Sequence, residues 1–166
     1  MRNFEVQLPD LSEPKPFIPG THTNKYIKFI PVKDEDKLIL YYHMPYCQKE
    51  HQTKPLNYIS FLVGHEGENS LLSYLKHEGL AQSVESSVDH WIGCLSLFVV
   101  EIKLTKKGLG KADRVVETCS QYFQKIKAAG PKQSLFDEMK LIGESNFKFM
   151  ERTNEMSTVV SMTRQM

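Results

Sequence analysis

The chain has 166 residues, 40% of them hydrophobic and 25% charged, with a formal net charge of +1. That length suits one domain with a real core, and the balanced charge leaves no strong global field to favour nucleic acid or an anionic membrane. No apolar run approaches the length needed to span a bilayer, and the start, Met1-Arg2-Asn3-Phe4-Glu5, lacks the apolar stretch of a signal peptide. The chain reads as cytoplasmic, or its targeting segment lies outside it. Three cysteines, Cys47, Cys94 and Cys119, stand far apart and odd in number, so they read as free thiols in a reducing compartment.

Residues 1–23 hold Pro9, Pro14, Pro16 and Pro19 and read as an extended, linker-like arm, leaving residues 24–166 as a single domain. Tyr26 to Val32 and Leu38 to Met44 are rich in aromatic and β-branched residues, and the polar stretch Lys33 to Lys37 separates them. They predict two antiparallel strands joined by a turn. Pro55 then opens a helix with Leu56, Ile59, Leu62 and Val63 on one side, ending near Gly64. A second helix runs from Ser70 to Glu78, with Leu71, Leu72 and Leu75 inward and Gly79 as its stop.

Ala81 to Val88 alternates weakly as a strand with a polar face, and Trp91 to Leu104 carries a long buried-strand signal. A long helix follows, through Val115, Val116, Cys119, Tyr122, Phe123 and Ile126, to Gly130-Pro131. Ser134 caps another, running to about Phe149. Thr153 to Thr158 is weakly patterned. The order β-β-α-α-β-β-α-α predicts an α+β fold, a mostly antiparallel sheet with helices packed on one face.

Gly64-His65-Glu66-Gly67-Glu68-Asn69-Ser70 holds a His-Glu pair between glycines, at the junction of two helices. A helical zinc site needs two histidines one turn apart with a carboxylate, or the inverted His-x-x-Glu-His. Of the six histidines, His22, His43, His51, His65, His77 and His90, none completes either spacing. Cys47-Gln48-Lys49-Glu50-His51 comes nearest, with cysteine in the first place and a proline just before it. No metal ligand and no catalytic residue is therefore expected, and there is no Gly-x-Ser-x-Gly elbow. Glu66 and Glu68 oppose a polyphosphate at this loop. Lysines and arginines are dispersed, with no stripe for nucleic acid. An acidic, glycine-bounded corner suits the amino end of a peptide, and Ala81 to Ser86 suits strand addition. A solvated loop beside an ordinary strand remains the plain alternative.

Tyr58-Ile59-Ser60-Phe61-Leu62-Val63-Gly64-His65-Glu66-Gly67, followed by Ser70 to Lys76 and Gly79, resembles the insulinase (pitrilysin-like) zinc metallopeptidases. Ile30-Pro31-Val32-Lys33-Asp34, Lys54-Pro55, Leu104-Thr105, Gly108-Leu109 and Ala128-Ala129-Gly130-Pro131 support it over about residues 20–150. The resemblance implies the metal-free second domain of a larger enzyme, with the arm as the preceding inter-domain connection. The tail then reads as truncated before the domain's last helices. It implies a non-catalytic function: lining a chamber and anchoring the amino-terminal end of peptide substrates, which a zinc site in a first domain hydrolyses. Carried over by position, the substrate-binding residues are Gly64, Glu66, Val84 and Ser86. Ser86 departs from the pattern, which has glycine there, and Phe61 stands where histidine is common. The implied partners are peptide substrates and the neighbouring catalytic domain, and zinc belongs to the parent alone. The exposed inter-domain face also predicts self-association. The other reading is a scaffold domain from a family member that has lost its zinc.

Overall fold

A computed structural model describes residues 20–32, 35–47, 50, 52–91, 95–151 and 154–165. The chain divides into two compact units, residues 1–129 and 130–166.

The first unit is built on three antiparallel strands, β1 (Lys37–Met44), β2 (Ala81–Trp91) and β3 (Leu95–Leu104), in the order β1-β3-β2. Leu38 faces Ile102 and Tyr42 faces Phe98 across one ladder; Val84 faces Ile102 and Trp91 faces Leu95 across the other. Strand side chains alternate between faces, so Leu38, Val84, Phe98, Val100, Ile102 and Leu104 all lie on one face. That face is the core, and the helices lie on it. Helices α1 (Pro55–Val63), α2 (Leu71–His77) and α4 (Ala112–Ala129) deliver Val63, Leu71, Leu72, Leu75, Val115 and Cys119 to the same buried cluster. Each of the fully buried leucines of α2 contributes about 1.5–3 kcal/mol relative to an exposed position. Tyr42, Phe98 and Phe123 close one end, with Tyr42 and Phe123 edge-on at 5.3 Å.

The short helix α3 (Lys106–Leu109) locks the start of β2. Thr105 Oγ1 accepts from Gly108 N at 2.9 Å and donates to the Gly79 carbonyl at 2.7 Å, while Lys107 Nζ donates to the Glu78 carbonyl at 2.6 Å. Gly108 is buried so closely against Leu80 that a Cβ would overlap the Leu80 carbonyl oxygen and lie 2.9 Å from its carbon.

The second unit holds α5 (Gln133–Lys148) and α6 (Glu155–Gln165). Neither is apolar all round, and Leu141, Phe147, Phe149, Met150 and Met156 are exposed.

Among the described residues the order is β-α-α-β-β-α-α-α-α, so the α+β class with helices on one face stands and the order changes. The strand expected over Tyr26 to Val32 is not formed: Tyr26, Ile27, Phe29, Ile30 and Val32 are all exposed. The segment does not alternate, which leaves it no single inward face, and Pro31 has no N–H to give a ladder. Trp91 closes β2 instead of opening β3, and the expected long helix begins only at Ala112, after the separate short helix α3. The greater part of the expected arm, residues 1–19, lies outside the described residues.

Candidate functional site

The α1–α2 connection is held by its own polar groups. Gly64 ends α1 in helical conformation, with φ −79° and ψ −3°, so glycine is not required there for its backbone freedom. Room there is limited without demanding glycine: a Cβ would make a tight contact with the Ser60 carbonyl oxygen, at 3.3 Å, and an ordinary one with Ser86 Oγ, at 3.5 Å. His65 turns back over the loop and its Nδ1 accepts from Gly67 N at 3.0 Å, which places the neutral ring's proton on Nε2. A Cβ at Gly67 would overlap that ring. The left-handed turn falls on Asn69, φ 64°, and Ser70 caps α2 by accepting from Ser73 N at 3.1 Å. The histidine of the His-Glu pair is thus spent on the loop's own geometry.

Glu66 stands at the outer corner, exposed, with no ion pair or side-chain hydrogen bond among the described residues. Gly64 and Ser86 meet through a residue the sequence reading passed over, Ser60. Ser60 Oγ donates to the Ser86 carbonyl at 3.0 Å, and Ser86 Oγ donates to the Ser60 carbonyl at 2.9 Å. The spacing of Ser60 and Gly64, one helical turn apart, was the available signal: two small residues on one face let a strand come close. Val84 lies on the same strand face as Ser86, only 3% exposed, so its side chain belongs to the core and only its backbone is on offer to a ligand. Tyr122 of α4 donates to the Leu62 carbonyl at 3.1 Å and so fixes the last turn of α1. Burial pushes its hydroxyl above the ordinary tyrosine value, which keeps the proton in that bond.

The sheet order leaves β2 at an edge, so one side of its backbone has no strand partner among the described residues. An edge of this kind accepts an extended peptide by adding it as a further strand. Gly64, Ser86 and Val84 therefore sit at one α1–β2 junction, with Glu66 two residues beyond it.

At the other end of α1, Cys47, Glu50, Lys54 and His90 line a shallow pocket of about 160 Å³. Pockets that enclose small ligands run from about 300 Å³ upward. Cys47 Sγ donates to the Pro45 carbonyl at 3.0 Å, and His90 Nδ1 lies 2.7 Å from the buried Ser96 hydroxyl. His51, the third member of the near-motif, lies outside the described residues. Among the described residues no three His, Cys, Asp or Glu side chains gather as a metal site.

Comparison with known proteins puts this geometry in a family. The model of the peptidase M16 inactive domain matches residues 3–142. The A-factor-processing enzyme of Saccharomyces cerevisiae is 32% identical over 90% of this chain, human insulin-degrading enzyme 31% over 92%, and rat nardilysin 31% over 86%. The chain spans 15%, 15% and 13% of their respective lengths. The crystal structure of pitrilysin shares the fold, with a TM-score of 0.72 at 22% identity over 75% of this chain and 13% of that one.

Proposed function

The chain belongs to the peptidase M16 family as its inactive domain, and from that premise we propose that it is the non-catalytic, peptide-holding domain of a longer zinc metalloendopeptidase. The observation that carries the reading is a strand edge with no strand partner among the described residues, β2, joined at Ser86 to the end of α1, two residues before Glu66, an exposed carboxylate with no ion pair among the described residues.

The division of work follows from what the residues offer. The Glu66 carboxylate meets the ammonium group of a peptide's amino end. The backbone of β2 near Val84 and Ser86 pairs with the residues that follow, which extends the peptide as a strand. Gly64 admits the peptide's first residues because no side chain fills the space over Ser60 and Ser86. Hydrolysis is assigned to a zinc-bearing domain elsewhere in the parent chain, and this domain lines the chamber that faces it. Holding one end of the substrate raises the effective concentration of the scissile bond at that distant site. Free thiols at Cys47 and Cys119 suit a reducing, cytoplasmic setting.

The test is fluorescence anisotropy with matched extended peptides, one with a free amino end and one N-acetylated, on the wild type and on Glu66→Gln. Exposed ion pairs are worth up to about 1 kcal/mol, so the free peptide is expected to bind the wild type roughly two- to five-fold more tightly than its acetylated twin. Glu66→Gln erases that preference. Equal weakening of both peptides removes Glu66 from the anchor.

A further inference from the structure

The edge of β2 is not open along its whole length. Ser60 and Ser86 form a reciprocal pair: each hydroxyl donates to the other residue's carbonyl, at 3.0 and 2.9 Å, and the two hydroxyl oxygens lie 2.9 Å apart. The Ser60 carbonyl also accepts from Gly64 N at 2.9 Å, so it has its helical bond without any help from Ser86. The Ser86 hydroxyl is therefore not needed to satisfy α1. What the pair accomplishes is different: it draws the last turn of α1 onto an edge strand and gives a backbone acceptor of that strand a donor from outside the ladder.

Resting on the peptide-anchor reading above, we propose that Ser60 is a specificity-determining latch on the β2 edge. Its hydroxyl occupies the Ser86 carbonyl, the acceptor that an incoming backbone N–H needs if the peptide is to pair along β2 without a gap. A carbonyl can accept two donors, as that of Ser60 does, so the block is positional. The register turns the Ser86 carbonyl away from β3, and the Ser60 hydroxyl stands on that open side where the incoming backbone must come. The chain selects peptides that engage the edge strongly enough to move it aside. Ser86 supports the latch without being the block itself. Its own hydroxyl holds the Ser60 carbonyl, which keeps the Ser60 hydroxyl aimed, whereas glycine there leaves only one of the two bonds.

The chain's affinity for a C-terminally fluorescein-labelled, ten-residue Val/Thr-rich peptide with a free amino end tests this. Ser60→Ala frees the acceptor, and a net hydrogen bond of about 1 kcal/mol corresponds to roughly five- to ten-fold tighter binding. Ser86→Ala removes only the supporting bond and loosens the latch in part, so its gain in affinity is expected to be smaller than that of Ser60→Ala. Folding of both variants is checked by circular dichroism. Should Ser60→Ala not fold, the carbonyl ¹³C shift of Ser86 in the wild type, followed to peptide saturation, decides: the latch requires it to move. Wild-type affinity in a folded Ser60→Ala, or a static Ser86 carbonyl shift, overturns the latch. Tighter binding by Ser60→Ala with no preference for the free amino end overturns the Glu66 anchor and leaves the latch standing. Absence of binding to both wild type and Ser60→Ala overturns both.

Discussion

Gly108→Ala isolates the contact that holds the start of the edge strand in place. In an exposed helix this substitution is favourable by about 1 kcal/mol through propensity alone. Here the added Cβ would overlap the Leu80 carbonyl oxygen and stand 2.9 Å from its carbon and 3.3 Å from its Cα, all of them backbone atoms that cannot rotate away. The clash forces α3 off β2 and stretches the bonds that join them: Thr105 N to the Leu80 carbonyl at 3.0 Å, Thr105 Oγ1 to the Gly79 carbonyl at 2.7 Å and Lys107 Nζ to the Glu78 carbonyl at 2.6 Å. Two partly buried bonds at about 1 kcal/mol each, with overpacking strain of about 1–3 kcal/mol, outweigh the propensity gain and give a net loss of roughly 2–4 kcal/mol. Urea unfolding followed by circular dichroism reads it as a fall in midpoint of about 1.3–2.7 M for a slope near 1.5 kcal/mol/M. Gly110→Ala, two residues on, is the control: its Cβ would meet only the Lys107 and Lys106 carbonyl oxygens, at 3.6 and 3.9 Å. A Gly108→Ala midpoint equal to or above the wild type refutes the close approach of α3 to β2.

Ser70→Ala removes the cap of α2 and leaves Ser73 N without its acceptor, with an expected loss of about 1 kcal/mol in the same urea experiment. Stability also falls in alkali. Burial pushes the Cys119 thiol from 9.0 up to about 12 and the Tyr42 hydroxyl from 10.0 up to about 12, so the folded chain keeps protons that the unfolded chain releases. The contribution is complete below about pH 9 and is lost as pH rises toward 12, with a slope for Cys119 of about 1.4 kcal/mol per pH unit. Cys119→Ala is expected to flatten the profile between pH 9 and 10, where Tyr42 does not yet contribute; an unchanged slope there assigns the alkaline loss to other groups.

The elements legible in the sequence are those whose apolar spacing had one solution. Leu71, Leu72 and Leu75 specify a single buried helix face, and Leu38 to Met44 specifies a strand with one inward side, since Leu38, Leu40, Tyr42 and Met44 all pack on the core. Tyr26 to Val32 has comparable composition without alternation, and composition alone does not make a strand. The apolar run beginning at Trp91 belongs to two strands, since β2 ends at Trp91 and β3 begins at Leu95, and Gly93 was the signal in the sequence against reading it as one. Gly64 and Ser86, which the resemblance names as substrate-binding, are neighbours through Ser60. The backbone of Gly64 is ordinary, and a Cβ there would crowd only the Ser60 carbonyl oxygen, at 3.3 Å. Ser60 showed in the sequence only as a small residue one turn before Gly64, and its hydrogen bond to a strand 26 residues later could not be read from that spacing.

The most direct test of the peptide-holding account is a ¹H–¹⁵N titration of the chain with an extended peptide bearing a free amino end. The account places the largest shift changes at Gly64 to Gly67 and along β2 from Val84 to Val88, fading when the peptide is N-acetylated. Changes confined to the outer edge of β1, or to the Cys47 and His90 pocket, contradict it.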